Sequence, residues 1–172
     1  MSAVVSPHVF ISYAHEPSFD GHRERALNLA QSLRLRGLEA TIDQFVEHDP
    51  PTWPRWMTDE VRRADYVLCL ASPTYKQRVE GAGDPLVGRG ARWEGAIITE
   101  ELYAGFPAAQ SRFIAVLLDG CSPDDVPDVL MPVGRSYYRW PHDDEELYRR
   151  LTNQPRVVPV PLGPIVRLDP IT

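Results

Sequence analysis

The sequence predicts an α/β domain: a parallel sheet wrapped by helices on both sides. Short, wholly apolar runs recur along the chain, as in strands buried on both faces. Between them apolar residues return at helical spacing. The two signals alternate from one end to the other, the pattern of βα units. A chain of 172 residues fits one domain and can bury roughly 70% of its unfolded surface.

Taken in order, Val9-Phe10-Ile11 is the first strand. Ala26, Leu27, Ala30 and Leu33 then mark a helix that Gly37 is placed to end. Leu38 to Ile42 reads as a second strand, closed by Asp43, and the prolines of His48-Asp49-Pro50-Pro51 forbid regular structure. Trp53, Trp56, Met57, Glu60, Val61 and Ala64 define a helix with Pro54 in its first turn. Tyr66 to Ala71 is the third strand, followed by Ser72-Pro73-Thr74-Tyr75 and a glycine-rich insertion from Gly81 to Gly90. A helix follows from Ala91 to Tyr103, then a fourth strand from Phe113 to Leu118 and a weaker fifth at Ser136 to Trp140. The last helix opens with Asp143-Asp144-Glu145-Glu146 and closes with Arg149-Arg150, matching the helix macrodipole at both ends. The expected domain is 1–151. Residues 152–172, with Pro155, Pro159, Pro161, Pro164 and Pro170, read as a proline-rich tail or the start of a linker.

Composition narrows the function classes. A net charge of −6 gives no global attraction to nucleic acid or anionic membranes, and no nucleic-acid or membrane partner is expected. Arg62-Arg63 and Arg149-Arg150 lack interleaved aromatics and read as solvated helix faces. No apolar run is long enough to span a bilayer, and Met1 to Pro7 lacks the layout of a secretion signal. With Cys69 in a strand and Cys121 in a loop, the expected setting is a reducing cytoplasm. The histidines His8, His15, His22, His48 and His142 are scattered, so no metal site is expected. The glycines between Gly81 and Gly90 lack the lysine and Ser/Thr of a P-loop and do not follow a strand, so they read as a surface insertion or a flap. Ser12-Tyr13 and Ala71-Ser72 stand where a phosphate-accepting response regulator needs acids. No G-x-S-x-G elbow is present.

One carboxylate stands out. In a helix from Ala91 to Tyr103, at about 100° per residue, Glu94 projects between Ile97 and Ile98, which must face a core. A glutamate there is either a helix-end charge or part of a site. In open α/β sheets ligands bind beyond the carboxyl ends of the strands. That draws attention to Ser12, Tyr13, Asp43, Ser72 and Asp119. Each also has an ordinary reading as turn or cap chemistry.

Phe10-Ile11-Ser12-Tyr13, Asp43, Trp53-Pro54-Arg55-Trp56-Met57, Ala64-Asp65-Tyr66-Val67-Leu68, Ser72-Pro73-Thr74-Tyr75 and Gly88-Arg89-Gly90-Ala91-Arg92-Trp93-Glu94-Gly95 together resemble a bacterial SEFIR domain, a close relative of TIR domains. Each motif is weak alone; their order over His8 to Leu151 is specific. The resemblance implies a flavodoxin-like sheet of five parallel strands in the order 2-1-3-4-5. It also implies one of two activities. Many bacterial and plant TIR-type domains cleave NAD between nicotinamide and ribose, often in defence, whereas many animal TIR and SEFIR domains only bind one another in signalling assemblies. In the enzymes a glutamate near the start of the helix after the Ser-x-x-Tyr segment is catalytic. Here that is Glu94, although it follows Trp93 at once where TIR domains usually interpose several residues.

The resemblance therefore implies Glu94 as catalytic residue and NAD as substrate, with no separate cofactor. Ser12, Tyr13, Asp43, Trp53, Ser72, Tyr75 and Trp93 would line the nucleotide cleft, and self-association is expected. Of the other glutamates in that helix, Glu100 projects about 240° away from Glu94 and should be solvated. Glu101 shares its face but lies roughly 10 Å further along the axis. Trp53 and Trp56 sit at helical spacing, so core packing is the expectation for at least Trp56. Two further activities stay open. One is a non-catalytic interaction domain working through the loop from Asp43 to Pro54; the other is a nucleoside-processing transferase.

Overall fold

The computed structural model describes residues 5–17, 20–81, 97–101, 104, 111–131 and 137–172. Five strands, β1 (His8–Ser12), β2 (Glu39–Thr41), β3 (Tyr66–Leu70), β4 (Phe113–Leu117) and β5 (Tyr137–Arg139), form one sheet in the order β2-β1-β3-β4-β5. Every pairing is parallel. Fold class and strand order are those expected. The second and fifth strands are shorter than the sequence reading and fall inside it.

The apolar runs of β1, β3 and β4 feed two cores because successive side chains leave a strand on opposite faces. Phe10, Val67, Cys69, Phe113, Ala115 and Leu117 point into one layer. Val9, Ile11, Leu68, Leu70, Ile114 and Val116 point into the other. The first layer is covered by α2 (Trp53–Arg63), α3 (Pro73–Val79) and α4, helical over residues 97–101. The second is covered by α1 (His22–Leu35) and α5 (Asp144–Leu151).

α1 buries Ala26, Leu29, Ala30 and Leu33, an i, i+3, i+4, i+7 stripe. Leu29 takes the core place expected of Leu27, which lies at the edge of the stripe and only packs against the layer. Gly37, at φ +90°, ends the helix: its N–H donates to the Arg34 carbonyl and that of Leu38 to the Leu33 carbonyl, the pairing of a Schellman cap. α3 is an element the sequence reading treated as loop. It starts where Ser72 caps the N–H of Tyr75 and Pro73 occupies the first helical position.

At each outer edge of the sheet the chain itself engages the outward backbone groups of one residue. On β2 the outward N–H of Ala40 bonds the Leu38 carbonyl, and the Ala40 carbonyl accepts Arg34 Nη1 at 2.9 Å. On β5 the outward N–H of Arg139 donates to Asp143 Oδ2 at 2.8 Å, and its carbonyl accepts the N–H of Asp143. Such blocking removes a template for edge-to-edge pairing. Beyond Asn153 the chain has no regular secondary structure and stays exposed to Thr172. No helix among the described residues is long and apolar enough to cross a membrane.

Candidate functional site

The parallel register brings the loops after β1, β3 and β4 to one end of the sheet, with α3 between them. Ser12, the last residue of β1, is fully buried, and its Oγ lies 3.1 Å from the hydroxyl of Tyr75, itself buried in α3. Ser72, also buried, accepts the N–H of Tyr75 at 3.1 Å. Tyr75 thus joins Ser12, at its hydroxyl, and Ser72, at its backbone N–H, on the α2/α3 side of the strand tips.

Tyr13 leaves the strand on the opposite face and forms a second cluster with Asp43. Asp43 opens a short 3-10 turn over Asp43–Phe45 just after β2. The Tyr13 phenol accepts Gln44 Nε2 at 3.0 Å, and Asp43 lies close enough for its charge to act on that phenol. Gln44 also reaches the Arg23 carbonyl, and Arg23 pairs with Glu47 at 2.6 Å, so the start of this loop is fastened to α1. Burial pushes the Tyr13 phenol far above its ordinary range, with the charge of Asp43 adding to it. Burial likewise raises the Asp43 carboxyl, against the lowering effect of the nearby Tyr13 phenol. Asp43 Oδ1 is buried and, among the described residues, has no hydrogen-bond partner.

Trp53 stands at the first residue of α2, 37% exposed, edge-on to Trp56 at 5.7 Å between ring centroids. Trp56 in turn stands edge-on to Phe10 at 5.7 Å. Trp56 is therefore core packing, as expected, and Trp53 is the outer ring of the stack. In α4 Ile97 and Ile98 are buried, as the helical spacing requires. Glu100 is exposed, and Glu101 is held by Arg62 at 2.8 Å. Trp93 and Glu94, with most of the glycine-rich insertion, lie outside the described residues.

Three groups at this end were not singled out from the sequence. Glu16, 6% exposed, accepts the N–H of Thr74 at 2.9 Å and its hydroxyl at 3.1 Å. His22 is buried at the start of α1, and burial lowers its pKa. Cys121 has its thiol pushed up to about 11 by burial, with Asp125 and Glu16 contributing. The prompts in the sequence are slight: a carboxylate and an imidazole in the stretch that follows an apolar strand.

α3 also ties to the loop after β4. Lys76 Nζ donates to the Asp124 carbonyl at 2.9 Å, and Glu80 Oε1 accepts the N–H of Asp128 at 3.1 Å. Two hollows, of about 570 and 600 Å³, lie at the other end of the sheet, against Tyr66 and Ser111 beside the amino ends of β3 and β4. Among the described residues no group of His, Cys, Asp and Glu is arranged to hold a metal ion.

The family model described as TIR domain matches residues 9–152. A solved structure entitled "Crystal Structure of a prokaryotic SEFIR domain" is 30% identical to the chain, with a TM-score of 0.58 over 92% of this chain and 100% of that one. No curated protein matches the chain. The parallel order β2-β1-β3-β4-β5, the match spanning both ends of the sheet and the SEFIR likeness converge: the chain belongs to the TIR-domain family and is a SEFIR/TIR-like domain.

Proposed function

We propose that this domain is an NAD glycohydrolase that cleaves the nicotinamide–ribose bond through Glu94 and becomes active on self-association. The reading is supported above all by α4. Ile97 and Ile98 are buried, in keeping with the sequence expectation that this helix turns its Ile97–Ile98 side to the core. The competing carboxylates are otherwise engaged: Glu100 is exposed and Glu101 is bound to Arg62.

The chemistry suits one carboxylate. Most glycoside cleavages need an acid for the leaving oxygen and a second carboxylate on the other face. The nicotinamide of NAD is a cationic pyridinium and departs neutral without a proton. The remaining demand is to stabilise positive charge growing on the ribose, which a preplaced anion meets directly. Ser12, Ser72 and Tyr75 stand at the strand tips on the same side of the sheet as the buried Ile97 and Ile98 of α4.

Concentrated or clustered protein incubated with NAD should release nicotinamide. Glu94→Ala should lower the rate by about 10²-fold or more, and Glu100→Ala should leave it unchanged. The reverse pattern removes Glu94 from the mechanism. The second reading, a non-catalytic module for domain–domain interaction in signalling, is favoured by the exposed Trp53 at the end of the 43–54 loop. It requires that NAD survive every clustered condition and that Trp53→Ala abolish assembly.

A further inference from the structure

Residues 157–172 are rich in strand-forming side chains yet exposed throughout. Every valine, leucine and isoleucine between Val157 and Ile171 is at least 72% exposed, and only Arg167 and Asp169 carry charge. From Val158 onward the backbone makes neither turn nor bend. Segments that stay unfolded by composition are poor in branched aliphatics and rich in charge; this one is the reverse. Large apolar side chains gathered in water mark a contact surface.

The prolines indicate how that contact is made. In an extended chain the N–H and C=O of one residue face the same edge, and those of the next face the other. Pro155, Pro159 and Pro161 are all odd-numbered, so the donors they lack are missing from one edge only. The even edge keeps the N–H and C=O of Val158, Val160 and Leu162, and in a strand these three side chains share one face. Pro164 falls on the even edge and ends that ladder. A run from Val158 to Leu162 spans about 17 Å, an ordinary strand length. Val158 and Val160 each precede a proline, which holds them extended before any partner arrives. Prolines that only keep an apolar segment from aggregating need not share an edge.

We propose that Val158 to Leu162 binds a partner protein by β-strand addition. Its even edge pairs with the open edge of the partner's sheet, and Val158, Val160 and Leu162 lie on an apolar face beside that edge. Proline is tolerated in edge strands with its nitrogen turned outward, so the added strand is the last and the partner's sheet grows no further. The host is a sheet in another protein because the margins of this domain's own sheet are engaged: Ala40 by Arg34 and Leu38, Arg139 by Asp143. The pairing does not depend on NAD cleavage and is read without it.

The test uses the whole chain with a diazirine amino acid in place of Leu162, photolysed in its host cell. The protein cross-linked there is identified by mass spectrometry, purified and titrated with the unmodified chain. Val158→Pro and Leu162→Pro each remove a donor from the pairing edge and should weaken Kd by at least about tenfold. Val157→Pro removes one from the outward edge and should leave Kd within about twofold. In the complex the amides of Val158, Val160 and Leu162 should be protected from hydrogen exchange while that of Val157 stays open. These residues lie outside the packed layers, so every variant should keep the circular dichroism of the parent. Equal loss in all three variants, or in none, indicates polyproline or side-chain docking and overturns the proposal. So does a cross-link that joins only two copies of the chain, or no cross-link to any protein. Binding to phosphatidylglycerol vesicles that vanishes when residues 157–172 are deleted assigns the segment to a lipid surface and overturns it equally.

Discussion

Glu16 and Thr74, 58 residues apart, are joined twice, the carboxylate accepting both the N–H and the hydroxyl of the threonine. The link fastens the loop after β1 to the first turn of α3. With the Lys76 and Glu80 contacts it makes α3 the brace between the loops after β1 and β4.

Removing the carboxylate should expose that dependence. Glu16→Ala leaves a half-buried N–H without its acceptor and should cost about 1–2 kcal/mol, measured by urea unfolding. Thr74→Val should cost less, since the N–H bond survives. The two changes should be non-additive in a double-mutant cycle; additive costs would show the contact to be energetically idle.

His22 gives the domain an acid-sensitive point. Its folded-state pKa is depressed by burial, so the folded state binds fewer protons than the unfolded chain. The stabilisation this provides is present above the unfolded value of about 6.5 and is lost as pH falls through the lower folded value. Thermal unfolding of the wild type should therefore weaken below about pH 6.5 more steeply than that of His22→Gln. Parallel curves for the two proteins would show that His22 does not carry the effect.

The tryptophan pair separates surface from core. Trp56→Ala opens space beside Phe10 and should destabilise by about 2–3 kcal/mol, somewhat under the usual figure for a fully buried ring. Trp53→Ala should stay within about 0.5 kcal/mol. Chemical denaturation of the two variants checks the contrast, and equal losses would place both rings in the core.

Neither cysteine should behave as a nucleophile. Both are buried, and the Cys121 thiol titrates near 11, so thiolate is scarce at neutral pH. Alkylation of the folded protein followed by mass spectrometry should show slow modification at both positions, becoming fast in denaturant. Rapid native labelling of Cys121 would contradict its burial.

Much of the architecture is legible in the sequence because β1, β3 and β4 are buried on both faces and can tolerate only apolar side chains. The strand order came from the ordered motifs, since pattern alone does not say which strands are neighbours. α3 escaped because seven residues hold too few turns to display a period, although Ser72-Pro73 is a sound helix-start signal. Leu29 and Leu27 exchanged roles because a helix stripe is wider than one residue. The weight of Glu16 could not be read, for it depends on where Thr74 arrives from far along the chain. Ser12, Ser72 and Tyr75, read from the sequence as lining a cleft with Tyr13 and Asp43, meet one another through Tyr75. The strand pleat parts these three from Tyr13 and Asp43.

The self-capped margins of the sheet bear on how such a domain can switch. Polymerisation by backbone templating is hard to undo and spreads once seeded. With Arg34 and Asp143 occupying those margins, recruitment to the sheet must run through interchangeable side-chain patches, whose occupancy follows local concentration and relaxes when the stimulus fades. A signal relayed by this chain would therefore be graded and reversible.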